Sequence, residues 1–371
     1  MAKLLGKINR PFLFWTIFLA VAGFFIFSSA SLGVLAKNEV KFSNIAFNQI
    51  FFGLLLGSIA CVIFARIDYH IWKKYSLFLF VGAIIFTLLV FIPGIGFGHG
   101  GAKRWIDFRF VTFQPAELLK LCFVSYFAAW LAAFKGKADT LRHGLVPFLV
   151  MSGITGIVLL AQPDTDTFAV MLFAGMAMYI VAGAKWRHLG VIIVGGIAII
   201  ALLAFTRPYI RQRIDAMINP SQNTKTVSYQ LNQSLIAVGS GGVWGRGFGQ
   251  SVQKFAYLPE PVGDSVFAVA AEEFGFVGAV IILSTFLMWG LSGLKISGSA
   301  PDEYGRLLSL GIVILMISQA FVNIFGMLGI LPLTGITLPF VSQGGTSLFL
   351  TLLAAGIVMN ISRQARPIKQ K

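Results

Sequence analysis

The stretch GSGGVWGRGFGQSVQKFAYLPEPVGDSVFAVAAEEFGFVGAVIIL, residues 239–283, decides how the rest of the chain is read. Its first part, 239–249, is dense in glycine. Its middle carries Lys254, Glu260 and Asp264, and its last part is apolar enough to cross a bilayer yet holds adjacent acids, Glu272 and Glu273. The surrounding chain is 57% hydrophobic and only 12% charged, with a mean hydropathy of +0.83. Such a chain normally keeps charges and irregular backbone away from lipid, because unpaired peptide groups and buried carboxylates are costly in hydrocarbon. Their concentration here points to a polar working surface built against the bilayer, at the end of a loop running from Thr206 to Asp264.

Outward from that loop, apolar segments recur along the whole chain. Ten spans are expected, at about 11–36, 44–65, 74–92, 114–134, 144–162, 166–183, 188–206, 265–292, 304–329 and 344–361. The fold class is therefore an all-α polytopic membrane protein. It is read as a single transmembrane domain over 1–371, with a large extracytoplasmic loop, 207–264, between helices seven and eight. The first span is too long for a signal peptide and lacks a cleavage pattern, so it is expected to be retained. Cys61 and Cys122 fall in apolar helices and read as small hydrophobes. His70, His99, His143 and His188 show no zinc-like spacing.

The net charge of +15 has two readings. Basic residues favour cytoplasmic segments, and their bias puts both termini in the cytoplasm of a multi-pass membrane protein. Orientation does not account for Arg207, Arg211, Arg213, Lys225, Arg246 and Lys254 on the long outer loop, or for Lys103, Arg104 and Arg109 on the 93–113 loop. These suggest an anionic outer ligand, phosphate above all; a nucleic-acid partner is not expected.

Two further segments break the helical pattern. PGIGFGHGGAKRWIDFRFVTF, 93–113, reads as a glycine-rich loop ending where QPAE starts a helix with Pro115 in its first turn. ILPLTGITLPFVSQGGTS, 330–347, is interrupted by prolines and glycines. Such backbone must be buried in protein or line a wet cavity. SYQLNQSLIAV, 228–238, spaces its apolar residues for a short amphipathic helix.

Charges inside helices carry a bland and a sharp reading each. Glu117 and Lys120 share a helix face, as a self-neutralising pair with a snorkelling lysine or as a cavity-facing pair. Glu272 and Glu273 point about 100° apart, so at least one faces the bundle, as the partner of a buried base or as a functional acid. Asp264 is either an N-cap for a helix starting at Ser265 or an ionised carboxylate serving as general base or cation ligand. In the expected topology these acids, with Asp164 and Asp166 of QPDTDT (162–167), lie toward the outer side, like a cavity open to the outer leaflet.

At these residues the chain resembles the SEDS family of FtsW, RodA and SpoVE, membrane glycosyltransferases of bacterial cell-wall synthesis. The matches run in order: FSSAS (27–31), GAKRWI (101–106), FQPAELLKL (113–121), QPDTDT, the run 229–260, Asp264 with its helix, and GILPLTGITLPFVSQGGTSL (329–348). SVQKFAYLPE and GITLPF look more like the division branch, FtsW, than the elongation branch. Three departures stand out: PVGD before and at the aspartate, Asp166 where the family usually has glycine, and Gln343 where tyrosine is usual.

The resemblance implies polymerisation of lipid II into glycan strands at the outer face, with inversion and a β-1,4 bond. It maps the family's catalytic aspartate onto Asp264, and its GAxRW and QPxE-xxK residues onto Arg104, Trp105 and Lys120. The expected substrate-binding set is Arg104, Trp105, Lys120, Glu117, Arg207, Arg213, Gln233, Lys254, Glu260, Ser342 and Gln343. The implied partners are lipid II and the growing undecaprenyl-linked strand, a class B penicillin-binding protein transpeptidase, and divisome or elongasome proteins. No cofactor is certain; a divalent cation, Mg or Mn, is an option at Asp264. The rival readings are a lipid II flippase, which would need a polar path to the inner leaflet, and a division scaffold that activates a transpeptidase.

Overall fold

A helix that is apolar on every side is stable only among lipids or other helices, and this chain builds a bundle of such helices. The computed structural model describes residues 8–99, 102–108, 112–218 and 227–365. Gly101, Arg109, Lys225 and the basic residues of both ends (Lys3, Lys7, Arg366, Lys369 and Lys371), which entered the motif and charge readings, lie outside the described residues.

The elements are α1 (Arg10–Leu35), α2 (Glu39–Phe64), α3 (His70–Phe91), β1 (Gly96–His99), β2 (Ala102–Asp107), β3 (Thr112–Phe113), α4 (Pro115–Ala133), α5 (Leu141–Ala161), α6 (Thr165–Val181) and α7 (Trp186–Thr206). They continue with α8 (Pro208–Ile218), α9 (Val227–Ser240), α10 (Gln253–Ala256), α11 (Val266–Ser299), α12 (Glu303–Met327) and α13 (Gly345–Gln364). Among the described residues nine helices are long and apolar enough to cross a membrane, and the 17-residue α6 is a shorter apolar tenth. All ten expected spans are therefore occupied by helices. α12 and α13 are the most buried, while α7 is almost wholly exposed. The starts of α1 and α3 meet the end of α13: Asn9 N–H donates to Ser362 Oγ (3.2 Å), and Tyr69 N–H to Asn360 Oδ1 (3.0 Å).

The 93–113 segment departs from the expected loop. It forms a three-stranded antiparallel sheet in the order β1-β2-β3, with Phe97 opposite Trp105 and Ile106 opposite Phe113. Pairing with glycine-rich β1 stabilises β2, a contact between strands that local propensity does not reveal. The long loop also carries more helix than expected. α9 covers the anticipated amphipathic stretch, and α8 is an additional helix begun by Pro208.

The decisive element is α11. At Gly275 its backbone turns to φ +67°, which breaks the helix. The break strands peptide groups that a helix would have paired with each other. The glycine run pairs them instead. Arg246 and Gly247 donate to the carbonyls of Glu272 and Glu273 (3.0 and 2.9 Å), and Phe276 and Val277 donate to Gly242 and Val243 (2.9 and 3.1 Å). The run therefore completes a broken helix, supplying the backbone pairing that irregular backbone in a membrane requires.

The adjacent acids fasten the same joint. Glu273 accepts from Ser29 Oγ of α1 (2.6 Å) and from Lys254 Nζ of α10 (2.7 Å). Lys254 also donates to Ser29 Oγ and Gly249 O, both at 2.9 Å, and is 0% exposed. Glu272 accepts from Ser251 Oγ (2.5 Å) and the N–H groups of Val252 and Gln253 (3.1 and 3.3 Å), with Arg246 Nε at 3.5 Å. Of the two readings of this pair, the buried partner is the one the structure adopts. Lys254 is likewise corrected: its ammonium is sealed inside the joint and has no surface to offer a substrate.

Two outcomes follow for thermal unfolding in detergent. Gly275→Ala places a Cβ in a left-handed conformation and against the backbone of Gly245 and Val243, at a cost of ~1–3 kcal/mol or more. Gly195→Ala, whose Cβ would meet open space, is expected to be near neutral; equal midpoints for the two would contradict the joint. Lys254→Met leaves the Glu273 carboxylate unpaired at a cost of ~3–5 kcal/mol, and adding Glu273→Leu should recover much of it. A double variant worse than the single would refute the pairing.

Candidate functional site

The site is assembled from the end of the long loop, the strand β2, the start of α6 and the broken segment 330–344. Asp264 closes the loop. Glu260, at φ +46°, presents its carbonyl to the N–H groups of Gly263 and Ser265 (3.0 and 3.3 Å), which makes PVGD a tight turn. The helix starts at Val266, with Ser265 before it and no side-chain cap. The N-cap reading of Asp264 is therefore corrected, and its carboxylate is left for other work.

The turn is stitched to segment 330–344. Asn323 Nδ2 of α12 donates to Asp264 O (2.9 Å) and Ile336 O (2.7 Å). Ser342 Oγ donates to Gly263 O (2.7 Å), and Gln343 N–H donates to Val262 O (2.6 Å). Ser342 is 4% exposed and also accepts from Leu338 N–H. It was expected to bind substrate; its hydroxyl is instead spent on positioning the turn.

Two arginines complete the site. Arg104 on β2 donates to the carbonyls of Gln162 and Pro163, and its Nη1 lies 3.7 Å from Asp164 Oδ1. Arg213 on α8 donates from Nη1 to Asp166 Oδ2 (2.6 Å), which also accepts from Gly335 N–H (3.1 Å). Asp264 Oδ2, Arg213 Nη2 and Arg104 Nη1 converge over Gly335, at 3.6, 3.7 and 3.8 Å from where a Cβ on that residue would sit.

The electrostatics follow from this crowding. Protein surrounds the Asp264 carboxylate closely while leaving it partly open to solvent. Desolvation pushes its pKa up to about 7; the Glu260 and Asp166 carboxylates add to the rise, and Arg213 and Arg104 oppose it. Burial also raises Asp164, against the pull of Arg104.

Other expected residues fall outside this centre. Glu117 and Lys120 form a buried ion pair (2.7 Å), and Lys120 also donates to Gln319 Oε1 (2.7 Å). Gln319 in turn donates to Thr337 O (2.9 Å), and Ser347 Oγ to Glu117 (3.2 Å). At 6% and 3% exposure the pair does not snorkel, and its partners are internal; it braces segment 330–344 from behind. Arg207 is exposed where α7 meets α8, and Arg211 pairs with Asp215 on the surface (3.8 Å). Gln233 lines a surface groove with Tyr229, Asn232, Leu235 and Ile236. The α9 residue that reaches the turn is Gln230, through Ser265 Oγ (3.0 Å). Trp105 is half-buried on β2 beside Arg104. Sequence reasoning passed over Asn323 and Gln230 and read Gly335 only as a helix breaker; none of the three carries a charge to draw attention.

The acids present do not fit a divalent cation. Among the described residues no three His, Cys, Asp or Glu side chains are grouped to hold one, and Asp164 and Asp166 already face Arg104 and Arg213. The positive charge at this centre comes from guanidinium groups.

The comparisons agree with this architecture. The family model described as cell cycle protein, for FtsW, RodA and SpoVE, matches residues 10–367. A probable peptidoglycan glycosyltransferase FtsW of Geobacter sp. (strain M18) is 38% identical over 84% of this chain and 85% of its own length. Stage V sporulation protein E of Bacillus subtilis (strain 168) is 38% identical over 84% and 85%. Among solved structures, a chain described in work on coordination of polymerization and crosslinking by a peptidoglycan synthase complex superposes with a TM-score of 0.77. It is 25% identical, over 96% of this chain and 98% of that one. The rod shape determining protein RodA of Thermus thermophilus gives 0.66 at 25% identity, over 96% and 97%. With the family model spanning nearly the whole sequence and two sequence relatives 38% identical over more than four fifths of it, the chain belongs to the FtsW/RodA/SpoVE family of cell cycle proteins.

Proposed function

We propose that this chain is a peptidoglycan glycosyltransferase that polymerises lipid II into glycan strands, with its active centre at Asp264. The observation that carries the reading is the meeting of one high-pKa carboxylate and two guanidinium groups over Gly335, at the mouth of a membrane bundle. The names of the relatives support the reaction class, and the family resemblance supports lipid II as substrate.

The chemistry follows from the groups present. Asp264 accepts the proton of the acceptor sugar's 4-hydroxyl. The freed oxygen pair attacks the anomeric carbon of the lipid-linked donor, and the anomeric C–O bond to the diphosphate breaks with inversion. Arg104 and Arg213 bind the departing diphosphate and offset the charge it gains. Desolvation matters here: a carboxylate with a pKa near the working pH is a stronger base than an ordinary aspartate, yet is still ionised often enough to act. Trp105, beside Arg104, is assigned to the sugar or lipid headgroup.

The basic bias of the opposite face supports placing both termini in the cytoplasm and the centre on the outer face of the inner membrane. Lipid II then enters from the outer leaflet. The likeness to a chain of a peptidoglycan synthase complex supports a crosslinking partner of the class B penicillin-binding protein kind. The division branch is the better match, since relatives named FtsW cover most of the chain.

The pH dependence of polymerisation tests this reading. Below pH 7 Asp264 holds its proton and cannot act as base, so the rate should rise about tenfold per pH unit and level off above about 7. Glu260→Gln removes a carboxylate that raises Asp264, so its limb should move to lower pH. A limb that ignores Glu260, or that rises only near pH 4, would count against Asp264 as the base. The same shift carries a stability sign. The folded carboxyl binds its proton more tightly than the unfolded one, so folding is weakened as pH rises from about 4 to about 7.

A further inference from the structure

Gly335 sits where the three reacting groups of the proposed site point, and it has no side chain. Its neighbours Thr334 and Ile336 are buried, at 8% and 5% exposure, while Gly335, Asp264, Arg104 and Arg213 each keep partial access to solvent. Gly335 is therefore the one residue of 333–336 that keeps partial access to solvent. The glycine is not there for its backbone freedom, because its φ lies outside the left-handed region. Nor is it there for close packing. A Cβ would meet nothing nearer than Asp264 Oδ2 at 3.6 Å, Arg213 Nη2 at 3.7 Å and Arg104 Nη1 at 3.8 Å, which are ordinary contacts. A methyl would fit without strain, and it would fit in the one place where those three atoms face each other.

Two neighbours fix this floor. Asp166 Oδ2 accepts the Gly335 N–H and the Arg213 guanidinium together, so the same carboxylate sets the tilt of the peptide and the reach of the arginine. Asn323 holds the next residue's carbonyl, Ile336 O, and Asp264 O with one amide group. The floor, the base and one of the two arginines are thus linked through single shared side chains.

We propose that the bare face of Gly335 is the floor of the sugar-transfer subsite, and that the missing side chain admits the reacting hydroxyl between Asp264 and the two arginines. The ligand class is a sugar hydroxyl approaching a glycosyl diphosphate. This rests on the glycosyltransferase reading and adds to it a residue that selects what can approach the base. Oxygen needs about 2.7–3.2 Å to Asp264 to give up its proton. A methyl on residue 335 would occupy that approach.

The test is lipid II polymerisation by the full chain reconstituted with its transpeptidase partner, comparing wild type, Gly335→Ala, Gly326→Ala and Asp264→Asn. Gly326, near the end of α12, is the control. A Cβ there also meets ordinary contacts, 3.5–3.6 Å, but against the backbone of Pro332, Leu333 and Thr334 and not against reactive groups. Gly335→Ala is expected to keep the wild-type unfolding midpoint while kcat falls ~100-fold, the scale of a displaced reacting group. Gly326→Ala should keep both. Wild-type turnover in Gly335→Ala alongside a dead Asp264→Asn would overturn the subsite and leave the glycosyltransferase reading standing. Loss of folding in Gly335→Ala would overturn the claim that the space is free. No polymer from wild type would remove the reaction itself, and the subsite with it.

Discussion

The break in α11 at Gly275 is the constraint on which the rest of the structure depends. A helix interrupted at membrane depth exposes peptide groups with no water to satisfy them. A second stretch of backbone that can come very close is able to pair with them. The glycine run 239–249 does this, and so the long loop cannot float above the membrane; it is tied to the helix it precedes. Lys254 and Glu273, with Ser29 of α1, tie it a second time through charges that are costly unless paired. Asp264 follows ten residues after Lys254 and so emerges from a fastened loop onto a fastened helix. Its position is a consequence of backbone accounting some distance away.

The centre itself balances opposing charges in a restricted space. Asp164, Asp166, Glu260 and Asp264 would repel one another strongly if all were ionised and dry. Arg104 and Arg213 relieve part of this, each beside one acid at the start of α6 and each also facing Asp264. Desolvation, with what remains of the repulsion, makes the Asp264 carboxylate a stronger base than an exposed aspartate. Asp166 strengthens that effect and also holds Arg213 and Gly335 in register. The arginine it steadies is the one carried by the long loop.

Much of this was legible in the sequence, for identifiable reasons. Long apolar segments in a chain so poor in charge have no soluble alternative, so all ten helices could be located. Glycine and proline runs marked 239–249 and 330–347 as backbone needing shelter. Asp264 stood out where the polar loop enters a helix, and Arg104 and Arg213 as loop positives that orientation does not explain. Other features depend on contacts between distant segments and have no local signature. The sheet at 96–113 exists because glycine-rich β1 pairs with β2. Lys254 looks like a surface base until Glu273, 19 residues on, is seen to bury it. Ser342 and Lys120 carry family motifs, yet their polar groups face inward and hold backbone in place. Asn323 and Gln230 are uncharged and sit on apolar or amphipathic helices, where nothing in their neighbours announces a role. Gly335 works through the atoms it lacks, which only geometry can show.

Lipid II polymerisation by the purified protein, wild type against Asp264→Asn, with and without a class B transpeptidase partner, tests the centre of this description most directly. Asparagine keeps the size of the side chain and removes the base. Long glycan strands from wild type and none from a variant that unfolds no earlier would place the reaction at Asp264. Strands from both, or a variant that fails only because it no longer folds, would contradict it.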